Sequence, residues 1–124
     1  MGEPAGVGGE ILLKAWHGHR NALPPLSVID DKDRLRNLCR KLGLAVDLVD
    51  YSDDPASWSR NPNALRVLNS PLATEQPAGV IVPQNAKAVV ASISKAVEMA
   101  LDGRASGVVT NPIQKSALRS RVSL

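Results

Sequence analysis

Between Glu10 and about His19, the apolar residues Ile11, Leu12, Ala15 and Trp16 recur on one side of a helical period, which predicts an amphipathic helix. Leu23-Pro24-Pro25 follows, and proline cannot continue a helix because it lacks the amide hydrogen and clashes with the preceding turn. Leu26 to Ile29 is a short apolar run of the kind a buried strand carries. Leu35, Leu38, Cys39 and Leu42 mark the apolar face of a second helix. Asp30 or Asp31 can cap it, Arg40 and Lys41 sit in its last turn, and Gly43 is a natural stop. Leu44 to Val49 reads as a second strand. Strand, helix and strand with short joints predict a βαβ unit in a parallel sheet.

The middle of the chain is more polar. Ser52 to Asn63 is rich in Ser, Asp and Asn and holds two prolines, so it reads as a surface loop. Leu65 to Leu68 is a short strand candidate, followed by another loop through Pro83. The strongest helix pattern runs from Gln84 to Asp102, with Val89, Ile93, Ala96, Val97, Ala100 and Leu101 on one face and Gly103 beyond the end. Gly107 to Thr110 reads as a buried strand ending in the turn Asn111-Pro112. The alternation of strands and helices is that of an α/β fold, without internal repeat or low-complexity segment.

Composition narrows the class. The 124 residues, 44% hydrophobic and 22% charged, make one ordinary globular domain and exclude a disordered tail or a collagen-like repeat. With no Phe, two Trp and one Tyr, the core has to be built from Leu, Val, Ile and Ala. The single Cys39 excludes an internal disulfide, and it reads as a small core residue on an apolar face. No apolar run approaches the roughly 20 residues of a bilayer span, and Gly2 to Glu10 has no signal-peptide pattern. A cytoplasmic protein without a membrane partner is expected. The net charge is only +3, and the densest basic stretch, Arg34 to Lys41, lies beside Asp30, Asp31 and Asp33. That is a solvated face with mixed ion pairs, so no nucleic-acid partner is expected.

Two segments carry candidate chemistry. The first is Gly2-Glu3-Pro4-Ala5-Gly6-Val7-Gly8-Gly9-Glu10, running straight into a helix. Glycines before a helix N-terminus let the backbone approach an anion and present free N–H groups to it. The segment is neither a P-loop, since no Gly-Lys-Ser/Thr follows, nor the dinucleotide fingerprint, since Ile11 stands where that pattern needs glycine. A plain turn and a ligand loop both fit its spacing. The second is Val108-Val109-Thr110-Asn111-Pro112-Ile113-Gln114-Lys115. It sets a hydroxyl, an amide and an ammonium just past a strand end, where open α/β sheets gather ligands. Lys115 can hold a phosphate or carboxylate as a point charge. Equally, it can be a solvated lysine beside an Asn111 that orders its own turn. His17 and His19 are two apart at a helix end and point away from each other, which fits surface histidines better than metal ligands.

Together the two segments resemble the 4-hydroxythreonine-4-phosphate dehydrogenase family. The opening Met-Gly-Glu-Pro-Ala-Gly-Val-Gly-Gly-Glu is similar to that family's first signature, and Val109-Thr110-Asn111-Pro112-Ile113-Gln114-Lys115 to a second. The resemblance covers residues 1 to about 118 and departs at Gly9, where the family usually has Pro. It implies a three-layer α/β/α fold like that of the isocitrate and isopropylmalate dehydrogenases, present here in part. It also implies a homodimer that uses NAD and a divalent metal (Zn, Mg or Co). The implied substrate is a small phosphorylated hydroxy-amino acid, 4-phosphooxy-L-threonine, which is oxidised and decarboxylated toward pyridoxal phosphate. Glu3, Gly6, Gly8, Thr110, Asn111 and Lys115 occupy matching motif positions and are expected to line the cleft. The family's metal-binding histidines and its Gly-His-Thr-Glu segment lie beyond the matching region, so the resemblance assigns no catalytic residue and no metal ligand here. A relative acting on threonate or erythronate 4-phosphate, and a non-catalytic phosphate-ligand module, are the alternative readings.

The resemblance also sets expectations for the chain ends. Family members carry a strand before Gly-Glu-Pro-Ala-Gly, so Met1 is expected to be an internal methionine at the end of a missing strand, which would leave an exposed sheet edge. Ser120-Arg121-Val122-Ser123-Leu124 does not match the family. Encoded as AGC CGG GTT TCG CTN and read one base later, the tail becomes Ala-Gly-Phe-Arg, the family's segment. A frameshifted, disordered tail over residues 119–124 is therefore expected, on an incomplete N-terminal portion that is inactive by itself.

Overall fold

A computed structural model describes residues 1–77, 79–113 and 115. The elements are α1 (Gly8–His19), β1 (Ser27–Asp30), α2 (Lys32–Leu42), β2 (Leu48–Asp50), α3 (Pro55–Arg60), β3 (Leu65–Asn69) and α4 (Ala86–Leu101), with short 3-10 turns at Arg20–Ala22 and Pro83–Asn85. The strands form one parallel sheet in the order β1-β3-β2. Ser27 to Asp30 pair with Arg66 to Asn69, and Leu48 to Asp50 with Leu65 to Val67. The protein is therefore α/β with a parallel sheet. However, β1 and β2 are not neighbours: the α2 crossover leaves a gap one strand wide, and β3 fills it.

The main core lies between α1, α2 and the sheet, around Leu13, Trp16, Val28, Leu35, Cys39, Leu65 and Val67. Leu65 and Val67 are two apart and so share one sheet face. Full burial of a leucine such as Leu13 or Leu35 contributes about 1.5–3 kcal/mol. Trp16 also donates its Nε1–H to Asn63 O at 3.2 Å, tying α1 to the entry of β3. A second, smaller cluster forms under α4 around Ala86 and Val89, with Met1, Val90, Ile93 and Ile113 packed against it. α2 is ended by Gly43 at φ 65, a left-handed turn that glycine adopts freely.

Several expectations are corrected. α1 begins at Gly8, and its core line is Gly9, Leu13 and Trp16; Ile11 is 57% exposed. Of the two acids offered as caps for α2, it is Asp31 that serves as expected, accepting from Arg34 N at 3.0 Å. β2 is three residues because Leu44 to Asp47 serve as the approach to the sheet. The expected loop at Ser52 to Asn63 contains α3, which Asp54 caps by accepting from Ala56 N at 3.0 Å, with Pro55 in the first turn. α4 buries Ala86, Val89, Ser92 and Met99, while Val97 and Leu101 of the expected apolar face are exposed. Gly107 to Thr110 is not a strand: the run is irregular and exposed, with Val109 99% accessible. No adjacent strand among the described residues offers it a hydrogen-bonding ladder, and an unpaired apolar run gains nothing from extended pairing geometry. The tail expectation for Ser120 to Leu124, like Gln114, lies outside the described residues.

Candidate functional site

The glycine-rich loop folds as a tight turn into α1. Gly6 N donates to Glu3 O at 2.9 Å, and Ala5 N donates to the Glu3 carboxylate at 3.1 Å. Val7 is the N-terminal boundary residue of α1, and having no side-chain acceptor it leaves the first-turn amides without a side-chain cap. Gly6 and Val7 are exposed, whereas Gly2, Pro4, Gly8 and Gly9 are buried.

Gly2 and Gly8 are buried because the second segment lies on them. A Cβ on Gly8 would sit 2.8 Å from Asn111 Cγ and 2.9 Å from its Nδ2. One on Gly2 would sit 2.5 Å from Asn111 Cβ and 2.8 Å from Pro112 O. Glu3 N donates to Pro112 O at 2.8 Å, so the two segments are also joined through the backbone. Glycine is used here for close approach, not for an unusual backbone angle.

The structure thus brings Glu3, Gly8 and Asn111 together, with Gly6 at the outer corner of the same turn. Thr110 and Lys115 are exposed, and among the described hydrogen bonds none ties either to the loop. His17 and His19 are exposed on α1. Cys39 is buried, and burial pushes its thiol above the ordinary range. Among the described residues no three His, Cys, Asp or Glu side chains converge to hold a metal, and no helix is long and apolar enough to cross a membrane.

Two residues were not legible as part of this region. Asp30, at the end of β1, is 2% exposed, and both its carboxylate oxygens accept from Arg34 Nη1, at 2.8 and 2.9 Å. Arg34 Nη2 donates to Pro4 O at 3.3 Å. The expected solvated basic face holds for the exposed Arg36–Asp33 pair but not for Arg34. The available signal was the i, i+4 spacing of Asp30 and Arg34.

A glycine loop running into a helix beside a small parallel sheet, with Asn111 and Pro112 laid on the loop, defines an α/β protein, and solved structures similar to it include dehydrogenases. A crystal structure of 4-hydroxythreonine-4-phosphate dehydrogenase from Klebsiella pneumoniae superposes with TM-score 0.84 at 27% identity, over 98% of this chain and 38% of that one. The chain belongs to the family described as pyridoxal phosphate biosynthetic protein PdxA, whose model it matches over residues 22–123. The 4-hydroxythreonine-4-phosphate dehydrogenase of Methylorubrum extorquens strain PA1 is 40% identical over 122 residues, covering 95% of this chain and 34% of the relative. That of Pseudomonas aeruginosa is 36% identical, covering 94% and 35%. The chain therefore spans about a third of the length of the curated relatives it matches.

Proposed function

We propose that this chain is the portion of an NAD-dependent 4-hydroxythreonine-4-phosphate dehydrogenase that shapes one wall of the substrate cleft. The supporting observation is the seating of Asn111 and Pro112 on Gly2 and Gly8, which turns two distant signatures into one surface. In the whole protein the substrate is 4-phosphooxy-L-threonine, whose hydroxyl becomes a ketone; the resulting β-keto acid loses carbon dioxide toward pyridoxal phosphate. NAD, when bound, accepts the hydride released in the oxidation. The first-turn amides of α1 have no side-chain cap and carry partial positive charge, which suits a phosphate of either substrate or cofactor beside the exposed Gly6 and Val7. Thr110, Asn111 and Lys115 add a hydroxyl, an amide and a cation, and Lys115 supplies phosphate attraction without directional demands. The described residues do not fit a metal, so no step on this chain is assigned to one.

This reading includes a homodimeric, cytoplasmic enzyme of the three-layer isocitrate dehydrogenase type, with residues 1–118 as its incomplete N-terminal portion. By itself the 124-residue chain should bind phosphorylated ligand without turnover. Kinetics of the relatives-length protein with 4-phosphooxy-L-threonine, threonate 4-phosphate and erythronate 4-phosphate test the substrate. Preferred NAD reduction with the first is expected, and preference for either sugar-acid phosphate would replace it. Metal-dependent NAD reduction by the 124-residue chain alone would overturn the division of labour.

A further inference from the structure

We propose that Arg34 is a positioning residue for the glycine-rich loop, held by Asp30 and packed against Gly9. The guanidinium is shared between two partners. Its Nη1 is 2.8 and 2.9 Å from the two oxygens of the buried Asp30 carboxylate, and its Nη2 reaches Pro4 O at 3.3 Å. One side chain thus links the end of β1 to the loop across thirty residues of sequence. The guanidinium's flat fork sets the two bonds at a fixed angle, so fixing one end fixes the other. It also lies against Gly9. A Cβ there would meet Arg34 Nη1 and Nη2 at 3.3 Å and Leu38 Cδ2 at 3.2 Å. Gly9 does not need its freedom for backbone reasons, because it sits inside the first turn of α1 and has no positive φ. A side chain at this position would press on Arg34 and Leu38 together. The loop's part in the ligand cleft is the reading proposed above; the coupling of Arg34 to Gly9 and Pro4 does not depend on it.

The test separates positioning from charge neutralisation. Arg34→Lys keeps a cation opposite Asp30, but its single Nζ cannot also hold Pro4 O. In the full 124-residue chain, Arg34→Lys is expected to melt close to the parent. The amides of Glu3, Ala5 and Gly6 should then exchange with deuterium about tenfold faster or more, while the β1–β3 ladder amides keep their parental rates. Gly9→Ala is expected to lower the melting temperature of the parent by more than that of the Asp30→Ala/Arg34→Ala background, where Leu38 alone still presses on the added methyl and alanine is the better helix former. Parental exchange at Glu3, Ala5 and Gly6 in Arg34→Lys would overturn the proposal, as would the same shift from Gly9→Ala in both backgrounds. If the doubly substituted chain does not fold, the Arg34→Lys exchange rates decide alone. None of these readouts uses ligand or turnover, so they fail or succeed separately from the enzyme assays.

Discussion

Tyr51 is the single tyrosine of the chain, and its hydroxyl donates to Asp53 Oδ1 at 2.7 Å. The hydrogen bond to that carboxylate raises the phenol above its ordinary value, with burial and the Asp53 charge adding to it. The bond exists only with the protonated phenol, so its contribution to the fold is present below the ordinary tyrosine range and is lost as pH rises through the raised value. With one tyrosine, the phenolate absorbance band reports this site alone. Its midpoint should lie above 10, and Asp53→Asn should move it down; an unchanged midpoint would show that the bond does not form in solution. Gly2 offers a second residue-scale test. Gly2→Ala drives a methyl against Asn111 Cβ and the Pro112 carbonyl, and overpacking of this kind costs about 1–3 kcal/mol, measurable by urea unfolding. That a glycine was needed at positions 2 and 8 was legible only as a general property of the motif. The atom that demands it, Asn111, is about a hundred residues away, and no local pattern carries that distance.

α3 is held by an interaction its own sequence does not contain. Arg66, the second residue of β3, is 2% exposed and donates to the carbonyls of Ser57, Trp58 and Asn61 from Nη2 and to Ala64 O from Nη1. Its guanidinium also lies 4.2 Å from the centre of the Trp58 ring. A cation is thus placed where α3 ends and its carbonyls lack helical partners. Arg66→Leu should cost about 2–4 kcal/mol, because one buried and three partly buried carbonyls lose a charged donor together; a loss under about 1 kcal/mol in urea unfolding would mean the carbonyls find water instead. α2 shows what the sequence does carry. Its apolar spacing, its acidic start and Gly43 fix its existence and both ends locally, and the structure agrees. Asp31 also accepts from Leu72 N at 2.8 Å, so Asp31→Ala should cost more than the roughly 1 kcal/mol of a lost cap. The helix patterns were readable because they repeat within a few residues. α3 was missed because polar composition outweighed the Asp54-Pro55 start, and the Gly107 to Thr110 strand was overread because apolarity alone does not supply a pairing neighbour.

At the scale of the molecule, strand order was the least legible feature. Short joints predicted a βαβ unit in a parallel sheet without fixing the strand order; β3 lies between β1 and β2, and that choice depends on pairing energies over many residues. The same assembly carries the site. The sheet holds β1, β1 holds Asp30, and α2 leads Arg34 back to the loop that meets Asn111. Each signature was visible in the sequence as a separate motif, and their convergence is the claim on which the functional reading stands. The most direct measurement is the set of proton–proton nuclear Overhauser contacts in the isotope-labelled chain. Contacts from the α-protons of both Gly2 and Gly8 to the Asn111 side chain are expected, together with slow exchange of the Glu3 amide bound to Pro112 O. If those contacts are absent while the β1–β3–β2 sheet is intact, the two signatures do not form one surface in this chain.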